Sequence, residues 1–128
     1  MSGPQPVKYS LGLSDRVKFL GLRDDVPHLL GALDVVVMPS FYEGLPVALV
    51  EAQAAGIPAL VSDQVTPESD LGLGLITWLP LGDPAKWLRS MYHEGPEPDP
   101  SLVRQRFKET GHDIHASARR LLALYVDR

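Results

Sequence analysis

Asp34 opens a run of four apolar residues, Val35-Val36-Val37-Met38, and Pro39 closes it. A run that is apolar at every position, without polar alternation, reads as a strand buried on both faces, the pattern of a parallel sheet covered by helices. The neighbouring segments have to supply those helices and further strands. Ala59-Leu60-Val61-Ser62 reads as a further strand, as does Leu75-Ile76-Thr77-Trp78-Leu79 after a turn-rich stretch over 63–74. Val17-Lys18-Phe19-Leu20, ending at Gly21, is expected as an earlier strand, making four. Between the strands lie helical signals. Asp24 or Asp25 can cap a helix with Pro27 in its first turn and Val26, Leu29, Leu30 and Leu33 at helical spacing. Pro46 begins another through Ala55, stopped by Gly56 and Pro58, and Asp83-Pro84 begins a third that places Trp87, Leu88 and Met91 on its apolar side.

Alternating strand and helix argues for an α/β layer architecture, in which ligands bind outside the carboxyl ends of the strands. The loops 21–25, 39–46 and 62–70 are therefore the ones to watch. Three prolines alternating with acids over 94–100 form a linker, since such a segment cannot pack as helix or central strand. Two helices are expected beyond it, around 101–109 and 114–126. The expected organisation is one partial domain over 1–128, with a core at 15–93, the linker at 94–100 and C-terminal helices at 101–128.

With 128 residues, 45% hydrophobic and 22% charged, the chain is of one-domain size and ordinary globular composition. Its net charge of −4 gives no chain-wide positive field, so nucleic acid is not an expected partner. The charge is uneven: residues 1–100 hold six basic and thirteen acidic groups, and residues 101–128 six and three. The basic tail, Arg104, Arg106, Lys108, Arg119, Arg120 and Arg128, reads as a solvated helical face, with contact to an anionic membrane surface as the alternative. Zero cysteines exclude disulfides, thiolate metal sites and a cysteine nucleophile. His28, His93, His112 and His115 lack metal-ligand spacing, so no metal site is expected. Met1-Ser2-Gly3-Pro4 carries no signal-peptide pattern, and the most apolar stretch, Leu45 to Val61, is interrupted by Glu51, Gln53, Gly56 and two prolines, short of a membrane span.

The chemistry concentrates in residues 39–56, which put one carboxylate, Glu43, in a loop and another, Glu51, inside a helix. No lysine or arginine stands three or four residues from Glu51, so it either faces water or receives hydrogen bonds. The N–H groups opening this helix, near Gly44 to Ala48, form an anion site with the positive end of the helix dipole. A ligand with a phosphate and vicinal hydroxyls suits both features. The residues alone leave a plainer account open: a solvated surface glutamate, and a Ser40-x-x-Glu43 pattern that serves only as a capping feature.

Residues 39–56 resemble the signature of retaining glycosyltransferases of the two-domain GT-B architecture, especially glycosyltransferase family four, in which two glutamates are separated by seven residues. Glu43 and Glu51 have that spacing. The text from VKFLGLRDDVPHLLGALDVVVMPS to FYEGLPVALVEAQAAGIPALVSD resembles the C-terminal half of exopolysaccharide and capsule transferases of this family, and TPESDL, the Trp87 helix and GHDIHASARRLLALY resemble its end. Glu43-Gly44-Leu45-Pro46 departs from the Glu-Gly-Phe-Gly of many relatives but resembles the exopolysaccharide subgroup.

The resemblance implies a Rossmann-like parallel sheet flanked by helices, an incomplete half of a GT-B C-terminal domain that holds a nucleotide-sugar donor. It implies that Glu43, as the catalytic residue, hydrogen-bonds the sugar hydroxyls near the reacting carbon and that Glu51 accepts from the ribose. Ser40, the backbone of Gly44 and Leu45, and Pro46 would border the sugar and phosphate, and Gly21, Arg23 and Asp25 the base. For Arg23, stacking on a base, meeting a phosphate and simple solvation stay open. No cofactor or metal is expected, with a UDP-sugar as donor. Arg16, Lys18 and Lys8 do not sit in the context of the family's phosphate clamp, which is expected to lie, with the acceptor domain, outside this chain.

The functional expectation is transfer of a hexose from a nucleotide-sugar to a glycan or lipid-linked acceptor in bacterial surface polysaccharide biosynthesis, in the cytoplasm or at the inner face of the plasma membrane. The alternative is a nucleotide-sugar-binding module, or a folded remnant, that needs a partner chain. An incomplete sheet leaves an edge where a homodimer or strand swap can form.

Overall fold

A computed structural model of the chain describes residues 7–92 and 95–126. The elements are α1 (Val7–Ser10), α2 (Val26–Leu30), β1 (Val36–Met38), α3 (Val47–Ala54), β2 (Ala59–Ser62), a 3-10 turn (Pro67–Ser69), β3 (Ile76–Leu79), α4 (Pro84–Ser90), α5 (Pro100–Glu109) and α6 (Ile114–Val126). The strands form one sheet in the order β1-β2-β3, parallel throughout, with Val37 opposite Leu60 and Leu60 opposite Thr77. The Rossmann-like α/β reading of the sequence is the architecture observed.

The pleat explains why the strands are largely apolar on both faces. On one face Ala59 and Val61 of β2 pack with Leu49 of α3 and Val65, flanked by Val36, Met38, Ile76 and Trp78. On the other, Leu60 packs with Leu79 and with Trp87 of α4, flanked by Val35 and Leu81. Trp87 is a core residue whose indole N–H also donates to the Pro80 carbonyl at 2.8 Å. A third cluster, Leu71, Leu73 and Leu75, is covered by Val103 and Phe107 of α5. The intervening Gly72 and Gly74 have φ of 68° and 71°, a left-handed geometry that costs glycine nothing and allows three leucines in five residues to turn inward.

Helix α3 connects β1 to β2 and ends in a Schellman motif. The Gly56 N–H donates to the Gln53 carbonyl at 3.1 Å and the Ile57 N–H to the Ala52 carbonyl at 2.9 Å, with Gly56 at φ 73°. Asp83 caps α4, its carboxylate accepting from the Lys86 N–H at 3.0 Å, and Asp99 caps α5 through the Ser101 N–H at 2.7 Å.

The sheet has three strands among the described residues, not four. Val17–Leu20 forms no ladder: the Val17 N–H turns back to the Leu13 carbonyl at 2.9 Å, and Phe19 and Leu20 are exposed. A strand exists only within a ladder, and over 17–20 the described chain forms none. Helix α1 has no counterpart in the sequence reading. Asp25 stands at the N-cap of α2 without a side-chain cap hydrogen bond, and Val26, Leu33, Leu88 and Met91, expected on apolar helix faces, are exposed. Over 95–99 the linker has no regular structure but lies against the domain, since a β-carbon on Gly95 would come within 2.8 Å of Pro58 Cγ. His93 and Glu94, Arg128 and Met1–Pro4 lie outside the described residues.

Leu49 is fully buried where α3 meets the sheet, so Leu49→Ala is expected to lower unfolding free energy by about 2–5 kcal/mol. Asp83→Ala removes one cap and is expected to cost about 1 kcal/mol. Urea unfolding followed by circular dichroism checks both, and equal losses would contradict the assignment of core against cap.

Candidate functional site

The loop between β1 and α3 emerges from the carboxyl end of the sheet. Within it the Ser40 hydroxyl donates to Glu43 Oε1 at 2.9 Å, with both residues half-buried. This contact fixes the carboxylate and removes the capping-box reading, because Glu43 does not reach the helix. The residue at the N-cap of α3 is Pro46, with φ −75° and no side-chain cap. The N–H groups of Val47 and Ala48 therefore have no acceptor among the described residues, and they stand at the positive end of the helix dipole. Gly44 and Leu45 are exposed, so their N–H groups are open to a ligand, whereas Pro46 is buried and has no N–H. At the N-cap, its fixed φ directs the chain into the helix.

Glu51 sits in the middle of α3, on the side facing α2. It is half-buried, and its carboxylate has no hydrogen-bond or ion-pair partner among the described residues. It lines an open groove of about 300 Å³ whose other walls are Pro27, Leu30, Ala54 and Ala55. An acceptor-only group set beside apolar walls fits a ligand that combines hydroxyls with a flat apolar ring.

The third segment, 21–25, borders the start of α2. Gly21 has φ 66°, which turns the chain, and Leu22 is fully exposed. Arg23 grips Asp25 in a two-pronged ion pair, with Nε to Oδ1 and Nη2 to Oδ2 both at 2.6 Å. The side chain is thus held within its own loop, neither freely solvated nor extended toward the helix terminus. Its hydrogen bonds hold the Asp25 carboxyl below the usual carboxylate range and push the Arg23 guanidinium up. Both groups are solvent-exposed, so the pair orders the loop more than it stabilises the fold.

The structure brings Glu51 together with α2, and Ser40 with Glu43. Larger hollows lie elsewhere: an apolar one of about 400 Å³ between Val37, Pro39 and α4, and one of about 650 Å³ near Asp34 and Pro58, at the amino ends of the strands. Neither contains a glutamate of the pair. Among the described residues no group of three His, Asp or Glu side chains could hold a metal ion.

One residue of consequence was missed in the sequence reading. The Gln53 side chain is wholly buried; its amide N–H groups donate to the carbonyls of Leu49 at 3.0 Å and Ser69 at 2.7 Å, and its oxygen accepts from the Leu71 N–H at 2.9 Å. A lone amide amid alanines, leucine and valine was the available signal.

The lowered Asp25 carboxyl contributes stability above the ordinary carboxylate value, and that contribution is lost as pH falls through the lower value of the folded state. In Arg23→Ala the Asp25 midpoint is expected to rise toward the ordinary range, as read by carboxyl-carbon NMR titration. An unchanged midpoint would remove the ion pair from the description of this loop.

Comparison with known proteins fits the geometry. The sequence profile of the family described as "Glycosyl transferases group 1" matches residues 2–92. The chain is 40% identical over 116 residues to the protein named "Putative glycosyltransferase EpsF" of Bacillus subtilis (strain 168), covering 88% of this chain and 30% of that protein. It is 36% identical over 106 residues to the lipopolysaccharide core biosynthesis glycosyltransferase LpsE of Rhizobium meliloti (strain 1021), covering 80% and 30%. It is 47% identical over 53 residues to the UDP-Gal:alpha-D-GlcNAc-diphosphoundecaprenol alpha-1,3-galactosyltransferase of Escherichia coli, covering 41% and 14%. The chain thus spans less than a third of the length of each of these relatives. The residue pattern, the parallel sheet and these matches agree: the chain belongs to the group 1 glycosyltransferases.

Proposed function

We propose that this chain is the donor-binding portion of a retaining hexosyltransferase, with a UDP-sugar as donor, acting without a metal in surface polysaccharide biosynthesis. The observation that carries this reading is the Glu51 carboxylate, half-buried, unpaired among the described residues and set in a groove between α2 and α3. A vicinal diol supplies the two donors such a carboxylate lacks, and the ribose of a nucleotide is such a diol. Beside it, Pro27 and Leu30 offer apolar surface, and the loop 21–25 flanks the start of α2 as a border for the base.

At the other end of the site, Glu43 is oriented by Ser40 to accept from sugar hydroxyls, while the Gly44, Leu45, Val47 and Ala48 N–H groups face a developing diphosphate charge. In transfer with retention, an acceptor hydroxyl attacks the anomeric carbon on the face from which the diphosphate departs. The new carbon–oxygen bond forms as the bond to phosphate breaks, and the acceptor proton passes to the diphosphate. Electrostatic stabilisation at the helix terminus then supplies what a separate base would not.

The Escherichia coli relative is named for UDP-Gal and a diphosphoundecaprenol acceptor, which supports a UDP-sugar donor and a lipid-linked acceptor for this chain. No helix among the described residues is long and apolar enough to cross a membrane. Exposed Arg104, Lys108, Arg119 and Arg120 on α5 and α6 would serve contact with the anionic cytoplasmic leaflet.

A second reading, a module that works only with a partner chain, is favoured by one observation. In the parallel pleat the Val36 N–H points to β2, where it meets the Pro58 carbonyl at 2.9 Å, so the Val37 N–H and carbonyl point away, with no partner among the described residues. That is an open sheet edge. A homodimer through it predicts a dimer by light scattering; a monomer at high concentration would exclude self-pairing.

Calorimetric titration with UDP, GDP and UDP-sugars tests the donor reading. Glu51→Ala is expected to weaken UDP-sugar binding by about 1 kcal/mol or more, the scale of a charge-assisted hydrogen bond. Equal binding by both proteins would overturn the role given to Glu51.

A further inference from the structure

Helix α3 is apolar nearly all the way round. Val47, Ala48, Leu49, Val50, Ala52, Ala54 and Ala55 distribute around its axis with almost no preferred side. Its composition gives no one-sided apolar stripe, yet burial is one-sided: Leu49, Val50, Ala52 and Gln53 are buried while Val47, Ala48, Ala54 and Ala55 are exposed, so apolar packing sets the azimuth only coarsely. A directional interaction can narrow that choice to one rotation. The Gln53 amide has what is required: it is wholly buried, and its three hydrogen bonds run to Leu49 on its own helix and to Ser69 and Leu71 on the segment after β2. Both amide hydrogens and the amide oxygen are engaged, and rotation of the helix would break the two bonds that leave it, stranding a buried carbonyl and a buried N–H.

Gln53 and Glu51 lie two residues apart, roughly 200° around the helix. When Gln53 points inward to Ser69 and Leu71, Glu51 is directed to the opposite side, into the groove with Pro27 and Leu30. We infer that Gln53 is a positioning residue that locks the rotation of α3, which apolar burial sets only coarsely, and so aims the Glu51 carboxylate into the candidate donor groove. This rests on the donor reading for its functional consequence, though not for its structural one. A buried polar group used in this way trades some stability for a unique arrangement, the same use to which a single buried asparagine is put in coiled coils.

The chain has no cysteine, so single cysteines report on the rotation directly. Ala52 and Val61 are both fully buried, one on α3 and one on β2. In the Gln53→Met background the thiol of Ala52→Cys is expected to react with a disulfide reagent about tenfold faster than with Gln53 present, while Val61→Cys stays protected. Equal acceleration at both positions would mean global loosening, and no acceleration at either would mean a fixed helix; each result overturns the inference. A second arm uses UDP-sugar binding at a temperature where circular dichroism shows every variant folded. The weakening caused by Glu51→Ala is expected to shrink toward nothing in Gln53→Met, because the carboxylate is no longer aimed. Full additivity of the two substitutions would reduce Gln53 to a core residue. Should Glu51→Ala leave binding unchanged in the parent chain, the donor reading falls, and the thiol rates still decide whether Gln53 sets the rotation.

Discussion

Every ladder in this sheet runs through β2. It is the one strand among the described residues with a neighbour on each side, and its four residues are all buried. Its pleat sends Ala59 and Val61 to the side of α3 and Leu60 to the side of α4, so one short segment holds both layers together. The candidate site depends on that arrangement at one remove. The loop carrying Glu43 leaves the end of β1, α3 carries Glu51 back toward β2, and the turn beyond β2 receives the Gln53 amide.

Where a segment's fate was settled by its own residues, the sequence was readable. The runs at 36–38, 59–62 and 76–79 are apolar but for Ser62 and Thr77 and lie next to Pro39, Pro58 or Pro80, and each is a strand within a residue of its expected limits. Pro84 after Asp83 marked a helix start for the same local reason, whereas Pro100 after Asp99, read as the end of the linker, opens α5. The failure at Val17–Leu20 has the opposite cause. Strand propensity is satisfied only by a neighbour, and whether one is present is not a property of those residues.

The site was legible in outline and illegible in its contacts. Glu51 stood out because it lacks basic neighbours along the chain, and Glu43 with Glu51 because their spacing matches the family resemblance. That Ser40 would hold Glu43, that Arg23 would fold back on Asp25, and that Gln53 would reach Ser69 and Leu71 depended on rotamers and on segments brought close by folding. Arg23 shows the difference well. An arginine in a loop near an expected anion site invites assignment to the anion, yet an aspartate two residues away offers two oxygens at no cost in loop closure.

The Schellman turn at Gly56 and Ile57 returns the chain from α3 to β2 within a few residues, so the glutamates, the free helix terminus and both strands that frame them fall inside one unbroken stretch, 36–62. Contacts this local close small loops, and such units tend to form early and to open together. Hydrogen exchange should therefore treat β1, α3 and β2 as a single cooperative unit, while α6, with Leu121 and Leu122 exposed, exchanges on its own clock. Evolution could then vary the C-terminal helices while leaving the acidic pair and its frame as one inheritable piece of backbone.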